Sequence, residues 1–370
     1  MFIPFGGGTP VRHQSFSRME DVRRYLIERA THSCFYSTAY WKRPYEAKMA
    51  DKDWMGADLI FDLDGDHLPG VSDRDFPGML DLIQEQAWTL WSEFLQPEFG
   101  FTEDHLHVTF SGHRGFHLHY RDPALVHLDS EARREMVAHI RGEGVDVAGR
   151  FARYADASST GWSRRVREGV ATTVSTLASI ASKEEDSTKH VSRLHEGVQR
   201  RRAHEAKSSG PHSKEAIKKL ATTLSEHGRA ERLLAGNFDV LKDGYRTLFA
   251  DLVASDTSIV LGAAGETDEV VTIDTRRQIR FPTSLHGKCG LRVSTLPLNR
   301  LNPDAAGHYN ALQEAVVFGS DVDRTMEVTV DDAVFGLHGR RIEASTGDHV
   351  QVSEAEQVFL SLKGWARNVA

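Results

Sequence analysis

The segment 58–64, which reads Asp-Leu-Ile-Phe-Asp-Leu-Asp, constrains the fold of this chain more than any other feature. Its large apolar and acidic residues alternate, which predicts a half-buried β-strand with one apolar face. Asp62 and Asp64 share the other face, where two adjacent carboxylates are costly unless a cation lies between them. Carboxylate oxygens suit Mg²⁺ or Mn²⁺. Because Asp-x-Asp pairs also occur in Ca²⁺ loops, sugar-nucleotide transferases and plain surface strands, the pair alone leaves these alternatives open.

The residues that follow predict the rest of an α+β core. Residues 79–91 place apolar side chains at three- and four-residue spacing, which indicates an amphipathic helix packed across the sheet. Residues 107–110 and 116–120 have the pattern of two strands. The loop 111–115 between them contains two glycines, which suits a hairpin connection.

The composition changes in the middle of the chain, which predicts a separate helical part. Residues 161–238 are rich in Ala, Ser, Thr, Lys, Glu and Arg, typical of partly exposed helices, with a loop near 208–211. Strand-like alternation returns at 279–293 and 326–337, and a helix is predicted over 353–365. We therefore expect a catalytic core in two parts with an inserted helical subdomain. The expected bounds are 1–160 and 246–370 for the core and 161–245 for the subdomain.

The segment 111–117, Ser-Gly-His-Arg-Gly-Phe-His, has the features of an anion-binding loop. Its glycines let backbone amides approach an anion, and Ser111, Arg114 and His117 add hydrogen-bond donors. A tight hairpin with a polar tip explains the segment equally well when it is considered alone. The five histidines between 105 and 119 do not predict zinc, because neighbours on alternating strand faces rarely converge on one ion.

A third cluster combines carboxylates with a basic segment. Asp268 and Asp274 are candidates for one more metal ligand. Arg280, His286 and Lys288 follow them as candidates for binding the phosphates of a nucleotide. An acidic turn followed by a surface strand is a slightly better explanation of this cluster alone. The functional interpretation depends on the three clusters occurring together, in an order that suits one site.

Composition excludes several classes of protein. With 370 residues the chain is long enough for about two domains. Its apolar stretches, such as 258–265, are too short to cross a membrane, and its N-terminus lacks the apolar run of a signal peptide. We therefore expect a cytoplasmic protein without a membrane partner. Cys34 and Cys289 are the only cysteines, which excludes a disulfide framework and a four-cysteine zinc site.

Charge is distributed unevenly along the chain. The 45 basic and 53 acidic residues give a net charge of −8, which argues against a surface made throughout for polyanions. The stretch 189–219 nevertheless holds nine Lys or Arg against three Glu, a local net charge of +6. A solvated helical face and a surface for nucleic acid or a partner both explain this stretch.

Taken together, the motifs resemble the small catalytic subunit of archaeal and eukaryotic replicative DNA primases, most closely the archaeal branch. The resemblance is carried by residues 11–13, 35–40, 54–67, 111–117 and 277–293. It implies an α+β primase catalytic core of mixed sheets flanked by helices. It also implies de novo synthesis of short primers on single-stranded DNA from nucleoside triphosphates, with Mg²⁺ or Mn²⁺. The implied partners are a primase large subunit, in a heterodimer, and the replication machinery.

The resemblance assigns roles residue by residue. Asp62 and Asp64 match two metal-binding, catalytic aspartates of the family. The third aspartate of the family stands eighteen residues before the histidine of a Ser-Leu-His-Gly-Lys motif, here His286, so it matches Asp268 and not Asp274. The residues that match contacts to the incoming nucleotide are Ser111, Arg114, His117, Arg280 and His286.

Two features of the family are missing from this sequence. The segment 69–104 contains no cysteine, so no structural zinc is expected. The family's Arg-Glu-Phe type motif is not found before the segment that begins at Phe2, which predicts a start upstream of Met1 or a diverged branch.

Several alternatives to a replicative primase follow. One is a related primase-polymerase of DNA repair or end joining. Another is a nucleic-acid binding subunit with impaired catalysis, because its N-terminus is short. A third alternative is a sugar-nucleotide transferase that binds Mn²⁺ with the Asp-x-Asp pair. This alternative does not explain the segments 111–117 and 268–288.

Overall fold

The computed structural model describes residues 1–4, 6, 8–65, 72–142, 160–183, 186–204, 212–256, 271–319 and 323–369. Over these residues the chain is a mixed α/β protein that divides into two compact units. Unit 1 is assembled from three stretches, Met1–Leu90, Phe101–Glu135 and Ala263–Ala370. Unit 2 is assembled from Trp91–Gly100 and Met136–Gly262.

The strands are short and belong to unit 1. In chain order they are β1 (Phe2–Pro4), β2 (Thr31–Ser37), β3 (Ala39–Trp41), β4 (Trp54–Ala57), β5 (Leu59–Asp64), β6 (Leu106–Phe110), β7 (Gly115–Tyr120), β8 (Gln278–Arg280), β9 (Ser294–Leu296), β10 (Arg324–Val328), β11 (Ala333–Phe335), β12 (Ile342–Ala344), β13 (His349–Val352) and β14 (Ala366–Asn368).

The described α-helices differ widely in length. They are α1 (Met19–Arg29), α2 (Phe76–Leu90), α3 (Ser130–Ile140), α4 (Gly161–Ala181), α5 (Ser187–His204), α6 (Lys214–Ser225), α7 (Arg229–Leu234), α8 (Asp243–Asp256), α9 (Ala311–Glu314) and α10 (Glu354–Lys363). Along the chain, α2 continues as a π-helix over Trp91–Leu95. None of these helices has the length and apolar composition that crossing a membrane requires.

A four-stranded antiparallel sheet, in the order β5-β7-β6-β9, forms the centre of unit 1. Its apolar face is buried, and α2 packs against β5 and β7. β6 and β7 form a hairpin, so the loop between them lies at one end of the sheet. The pairing places Asp62 opposite His117 and Asp64 opposite Gly115. The acidic end of β5 therefore lies beside the hairpin loop.

A second sheet, in the order β1-β2-β8, brings a distant part of the chain to β5. Phe35 of β2 pairs with Arg280 of β8. Ile60 of β5 is buried in a small apolar cluster with Val271 and Ile279. Ile60 therefore makes the second face of β5 partly apolar next to its carboxylates. The remaining described sheets have the orders β13-β10-β14, β11-β12 and β3-β4.

The described part of unit 2 is helical. α4 packs against each of α5, α6, α7 and α8. Its buried residues include Val166, Val170 and Leu177, which recur at helical spacing and face the other helices. Ile217 of α6 and Phe249 of α8 are fully buried in the same apolar core.

Most predicted elements of the core are confirmed, and one strand is shorter than its sequence pattern. The strand at 58–64, the hairpin strands and the helices near 79–91 and 353–365 are all present. The strand-like alternation at 279–293 forms only the short strand β8, at its start. Pro282 has no amide hydrogen for a sheet, and Gly290 has a φ of +76°, which bends the chain into turns.

Other predictions are refined or stay predictions. The alternation at 326–337 forms two separate strands, β10 and β11. The loop near 208–211 lies outside the described residues. The domain bounds at 161 and 245 stay predictions, since unit 2 also takes in Trp91–Gly100 and extends to Gly262.

Candidate active site

A cleft of about 210 Å³ in unit 1 collects most of the predicted site residues. These are Asp62, Asp64, Ser111, Arg114, His117, Arg280 and His286. They come from β5, the β6–β7 hairpin, β8 and the segment after β8. Asp268, the remaining predicted site residue, lies outside the described residues.

The two carboxylates stand on the same face of β5 because residues two apart on a strand project to one side. The side chain of Asp62 is 19% exposed and that of Asp64 is 46% exposed. Asp62 Oδ1 lies 3.2 Å from His117 Nε2, and Asp64 Oδ1 lies 3.7 Å from Arg114 Nε. The acidic pair is therefore bordered by nitrogen donors of the hairpin.

Hydrogen bonds to Ser111 fix the hairpin loop. Its Oγ accepts from the amide of Gly115 at 3.1 Å and from the amide of His113 at 3.4 Å. These bonds use the oxygen as an acceptor, which leaves the hydroxyl hydrogen as a donor for a ligand. Gly115 is required for packing, since a Cβ there would lie 2.3 Å from the carbonyl oxygen of Leu63.

Arg280 places a positive charge in the cleft, and contacts with Phe35 and Ser33 fix its side chain. Its guanidinium carbon lies 4.8 Å from the ring centroid of Phe35, and its NH1 donates to Ser33 Oγ at 3.2 Å. Burial lowers the pKa of Arg280 to about 10. The side chain is therefore still protonated at neutral pH and available to bind an anion.

His286 enters the cleft as a neutral ring. It is buried, and burial together with the charge of Arg280 lowers its pKa to about 2. Its Nδ1 accepts from the amide of Lys288 at 3.1 Å, so the ring hydrogen is carried on Nε2. His286 is therefore a hydrogen-bond donor and not a cation at neutral pH.

The structure adds cleft residues to which sequence reasoning assigned no role. They are Phe35, His113, Arg277, Gln278 and Ile279. Gln278 lies two residues before Arg280 on β8 and shares its face of the strand. This spacing in the sequence is enough to predict that Gln278 lies beside Arg280 in the site. His113 lies inside a segment already singled out, and Lys288, a candidate phosphate contact from the sequence, also lines the cleft. The sequence contains no comparable signal for Phe35, because its position depends on the pairing of β2 with β8.

The donors at the acidic end of β5 fit a hard divalent cation. Asp62 and Asp64 supply carboxylate oxygens on one side of the strand, which are the ligands that Mg²⁺ and Mn²⁺ prefer. Within the described residues, no group of three His, Cys, Asp or Glu side chains is placed to hold a metal. The alternative aspartate, Asp274, accepts from the amide of Arg276 at 2.8 Å and does not line the cleft.

Comparison with known proteins decides the family. The family model described as DNA primase small subunit matches residues 61–296. This chain belongs to the DNA primase small-subunit family. The match includes every residue predicted for the site, from Asp62 to His286. The resemblance inferred from the motifs is therefore confirmed.

Curated relatives extend this primase match over nearly the whole chain. The DNA primase small subunit PriS of Methanothrix thermoacetophila is 34% identical over 96% of this chain and 88% of its own length. That of Halorubrum lacusprofundi is 33% identical over 99% of this chain and 89% of its own length. That of Methanosphaerula palustris is 35% identical over the same shares. The family consists of metal-dependent, primer-synthesising nucleotidyltransferases, so this primase small subunit is an enzyme.

Proposed function

We propose that this primase small subunit synthesises short oligonucleotide primers de novo on single-stranded DNA, from nucleoside triphosphates, during replication. The observation that carries the proposal is the composition of the cleft. Two carboxylates of β5 face it together with donors from the hairpin, β8 and the segment after β8. Nucleotidyl transfer needs this combination, because metal ligands and phosphate-binding groups must hold one triphosphate between them.

Asp62, Asp64 and Asp268 would hold Mg²⁺ or Mn²⁺. When bound, these ions neutralise charge on the phosphates and make the primer 3′-hydroxyl a better nucleophile. His117 and Arg114 border the first two carboxylates and keep them on the cleft side of β5. The aspartates thus act through their fixed position and charge.

Ser111, Arg114, His117, Arg280 and His286 would bind the triphosphate. Ser111 and His286 supply O–H and N–H donors, and Arg280 supplies a positive charge that persists at neutral pH. These donors come from short, internally hydrogen-bonded segments, so little reorganisation is needed when the phosphates bind.

The partners follow from the same function. A small subunit implies a larger partner, and we propose a heterodimer with the primase large subunit that works with the replication machinery in the cytoplasm. The helical unit 2 would be the inserted subdomain of the core. Single-stranded DNA would be the template.

The test is primer synthesis on unprimed single-stranded DNA with labelled nucleotides and Mg²⁺ or Mn²⁺, with and without the large subunit. Asp62→Asn and Asp64→Asn remove a charge at constant size and are expected to lower synthesis by about 100- to 1000-fold. Asp73→Asn, at an exposed position outside the cleft, is the matched control and should keep full activity.

The other outcomes separate the alternatives. Full synthesis by both variants would contradict the proposal. Extension of a primer without initiation would favour a repair primase-polymerase. Salt-dependent DNA binding without incorporation by the wild-type chain, even with the partner, would favour a binding subunit.

A further inference from the structure

Three side chains from distant parts of the sequence form a row beside the candidate active site. Lys363 Nζ, in the last turn of α10, lies 3.2 Å from His113 Nε2. The ring of His113 stacks on that of His286, with centroids 4.7 Å apart and planes at 20°. His113 and His286 are buried and line the cleft. Neither Lys363 nor His113 has a role in the site described above.

The hydrogen bonds at both rings fix where each ring hydrogen lies. An ammonium group only donates, so His113 Nε2 accepts from Lys363 and the hydrogen of this ring lies on Nδ1. At His286 the amide of Lys288 donates to Nδ1, so the hydrogen lies on Nε2. Each ring is therefore held in one neutral tautomer, and the two tautomers differ.

The surrounding charges keep both rings neutral. His113 is faced by Lys363, Arg114, Lys288 and the ring of His286, and burial together with these groups lowers its pKa far below the usual range. His286 is faced by Arg280, Lys288, Arg114 and His32, which act in the same direction as its burial. A proton on either ring would lie next to several cations in a poorly solvated place.

Aromatic rings hold the cation at the end of the row. Lys363 Nζ lies 5.0 Å from the ring centroid of Phe76 and 4.6 Å from that of Trp365. Such cation–π contacts restrict the ammonium group to a few positions. Phe76 also packs against His113, with ring centroids 5.8 Å apart. α10 therefore places a fixed cation against the hairpin loop.

We propose that Lys363 and His113 are positioning residues that hold His286 as a neutral donor for the incoming nucleotide. The inference rests on the proposed function, because it requires a triphosphate in the cleft. With Nδ1 occupied by an amide and Nε2 carrying a hydrogen, His286 has no lone pair for a metal ion and donates to phosphate instead. The C-terminal helix thus contributes to nucleotide binding without contacting the nucleotide.

The first test is independent of activity. Nitrogen-15 NMR of the histidine rings, in the full-length protein without nucleotide, reports the tautomer and charge of each ring. Signals are assigned by their loss in His286→Gln and His113→Phe. We expect His286 to carry its hydrogen on Nε2 and to stay neutral from pH 6 to 8. A wild-type His286 that titrates in this range, or carries its hydrogen on Nδ1, would overturn the proposal.

The second test measures nucleotide use by variants of the row. Lys363→Met keeps the packing on Phe76 and Trp365 but removes the donor. Its KM for nucleotide should rise about three- to tenfold with kcat within about twofold, and His113→Phe should behave alike. Lys363→Arg restores a donor and should recover most of the affinity. Lys48→Met, at an exposed position, is the matched control.

The outcomes are distinguishable from those of the proposed function. An unchanged KM in Lys363→Met, with its fold verified by thermal unfolding, would overturn the positioning role. If the wild-type chain and its partner make no primers, the proposed function fails. The ring spectra then still decide whether His286 is a neutral ring that carries its hydrogen on Nε2.

Discussion

Asp58 begins the acidic segment 58–64 but has a structural role that differs from that of its neighbours. It is only 3% exposed. Its carboxylate accepts from Arg121 Nε at 2.9 Å and from the hydroxyl of Tyr40 at 2.6 Å. These two hydrogen bonds to a buried carboxylate stabilise the start of β5. Asp62 and Asp64, in contrast, face the cleft.

Arg121→Met should therefore destabilise the protein. The substitution leaves the Asp58 carboxylate buried without its cation, which costs about 3 kcal/mol in the free energy of unfolding. Urea unfolding followed by circular dichroism measures this change. Arg23→Met, at an exposed position of α1, is the control and should change stability by less than about 0.5 kcal/mol. Equal stability of the two variants would contradict the structural role of Asp58.

The two thiols make stability depend on alkaline pH. Burial raises the pKa of Cys289 to about 12 and that of Cys34 to about 11. In the unfolded chain a thiol ionises near pH 8.5 to 9. Above about pH 9 the unfolded state therefore binds fewer protons than the folded state, so the free energy of unfolding falls as the pH rises.

Cys289→Ala should flatten this decline. The slope lost is up to about 1.4 kcal/mol per pH unit between pH 9 and pH 12. Urea titrations at pH 7 to 10.5 measure the free energy of unfolding of wild type and variant. Subtracting one from the other at each pH removes the contribution of the groups that both proteins share. Native thiols should also resist alkylation at pH 8. Alkylation of the folded protein as fast as of the unfolded chain would contradict burial of the thiols.

At the level of elements, local patterns predicted what depends on neighbours along the chain. β5 and the β6–β7 hairpin were predictable because their two-residue alternation and glycines are local signals. The two-residue spacing in β5 also predicted that Asp62 and Asp64 face one side. The contact between His113 and Lys363 was not predictable, because the two residues are 250 positions apart in the sequence.

The basic stretch 189–219 illustrates the same limit for charge. Lys189 pairs with Asp186 at 2.8 Å, and Lys218 pairs with Glu215 at 3.7 Å. Arg202 reaches Asp251 of α8 at 3.2 Å. These partners offset part of the local excess charge, which favours a solvated helical face over a polyanion surface. Of these three acidic partners, only Glu215 belongs to the stretch 189–219. The net charge of +6 counted over the stretch therefore overstates the charge that is free to bind a polyanion.

α10 begins at a reciprocal cap formed by Ser353 and Glu356. Ser353 Oγ accepts from the amide of Glu356, and Glu356 Oε2 accepts from the amide of Ser353. Ser353→Ala removes one of these bonds and should lower the free energy of unfolding by about 1 kcal/mol. Ser361→Ala, exposed on the same helix, is the control and should be neutral or slightly stabilising in urea unfolding. Comparable losses in both variants would contradict the capping role.

At the scale of the whole molecule, the cleft proposed for activity should also contribute to stability. Asp62 and Asp64 present two carboxylates to one side of β5, where their like charges repel each other. A divalent cation that binds the folded state and not the unfolded chain relieves this repulsion and stabilises the fold by mass action. The stability of the protein should therefore depend on metal concentration, even without nucleotide or template.

Removal of metal is expected to lower the melting temperature of the wild-type protein. At Mn²⁺ one hundred times its dissociation constant, the stabilisation is about 2.7 kcal/mol relative to the chelated protein. The double variant Asp62→Asn, Asp64→Asn should melt at the same temperature with and without Mn²⁺, since neutral amide oxygens bind a divalent cation much more weakly than carboxylates do. Calorimetry at constant ionic strength measures both. A shift in melting temperature in the wild type alone would show that the metal binds at the carboxylates of β5. An equal shift in both proteins would show that the metal binds elsewhere, and would contradict a role of the carboxylate pair in the mechanism.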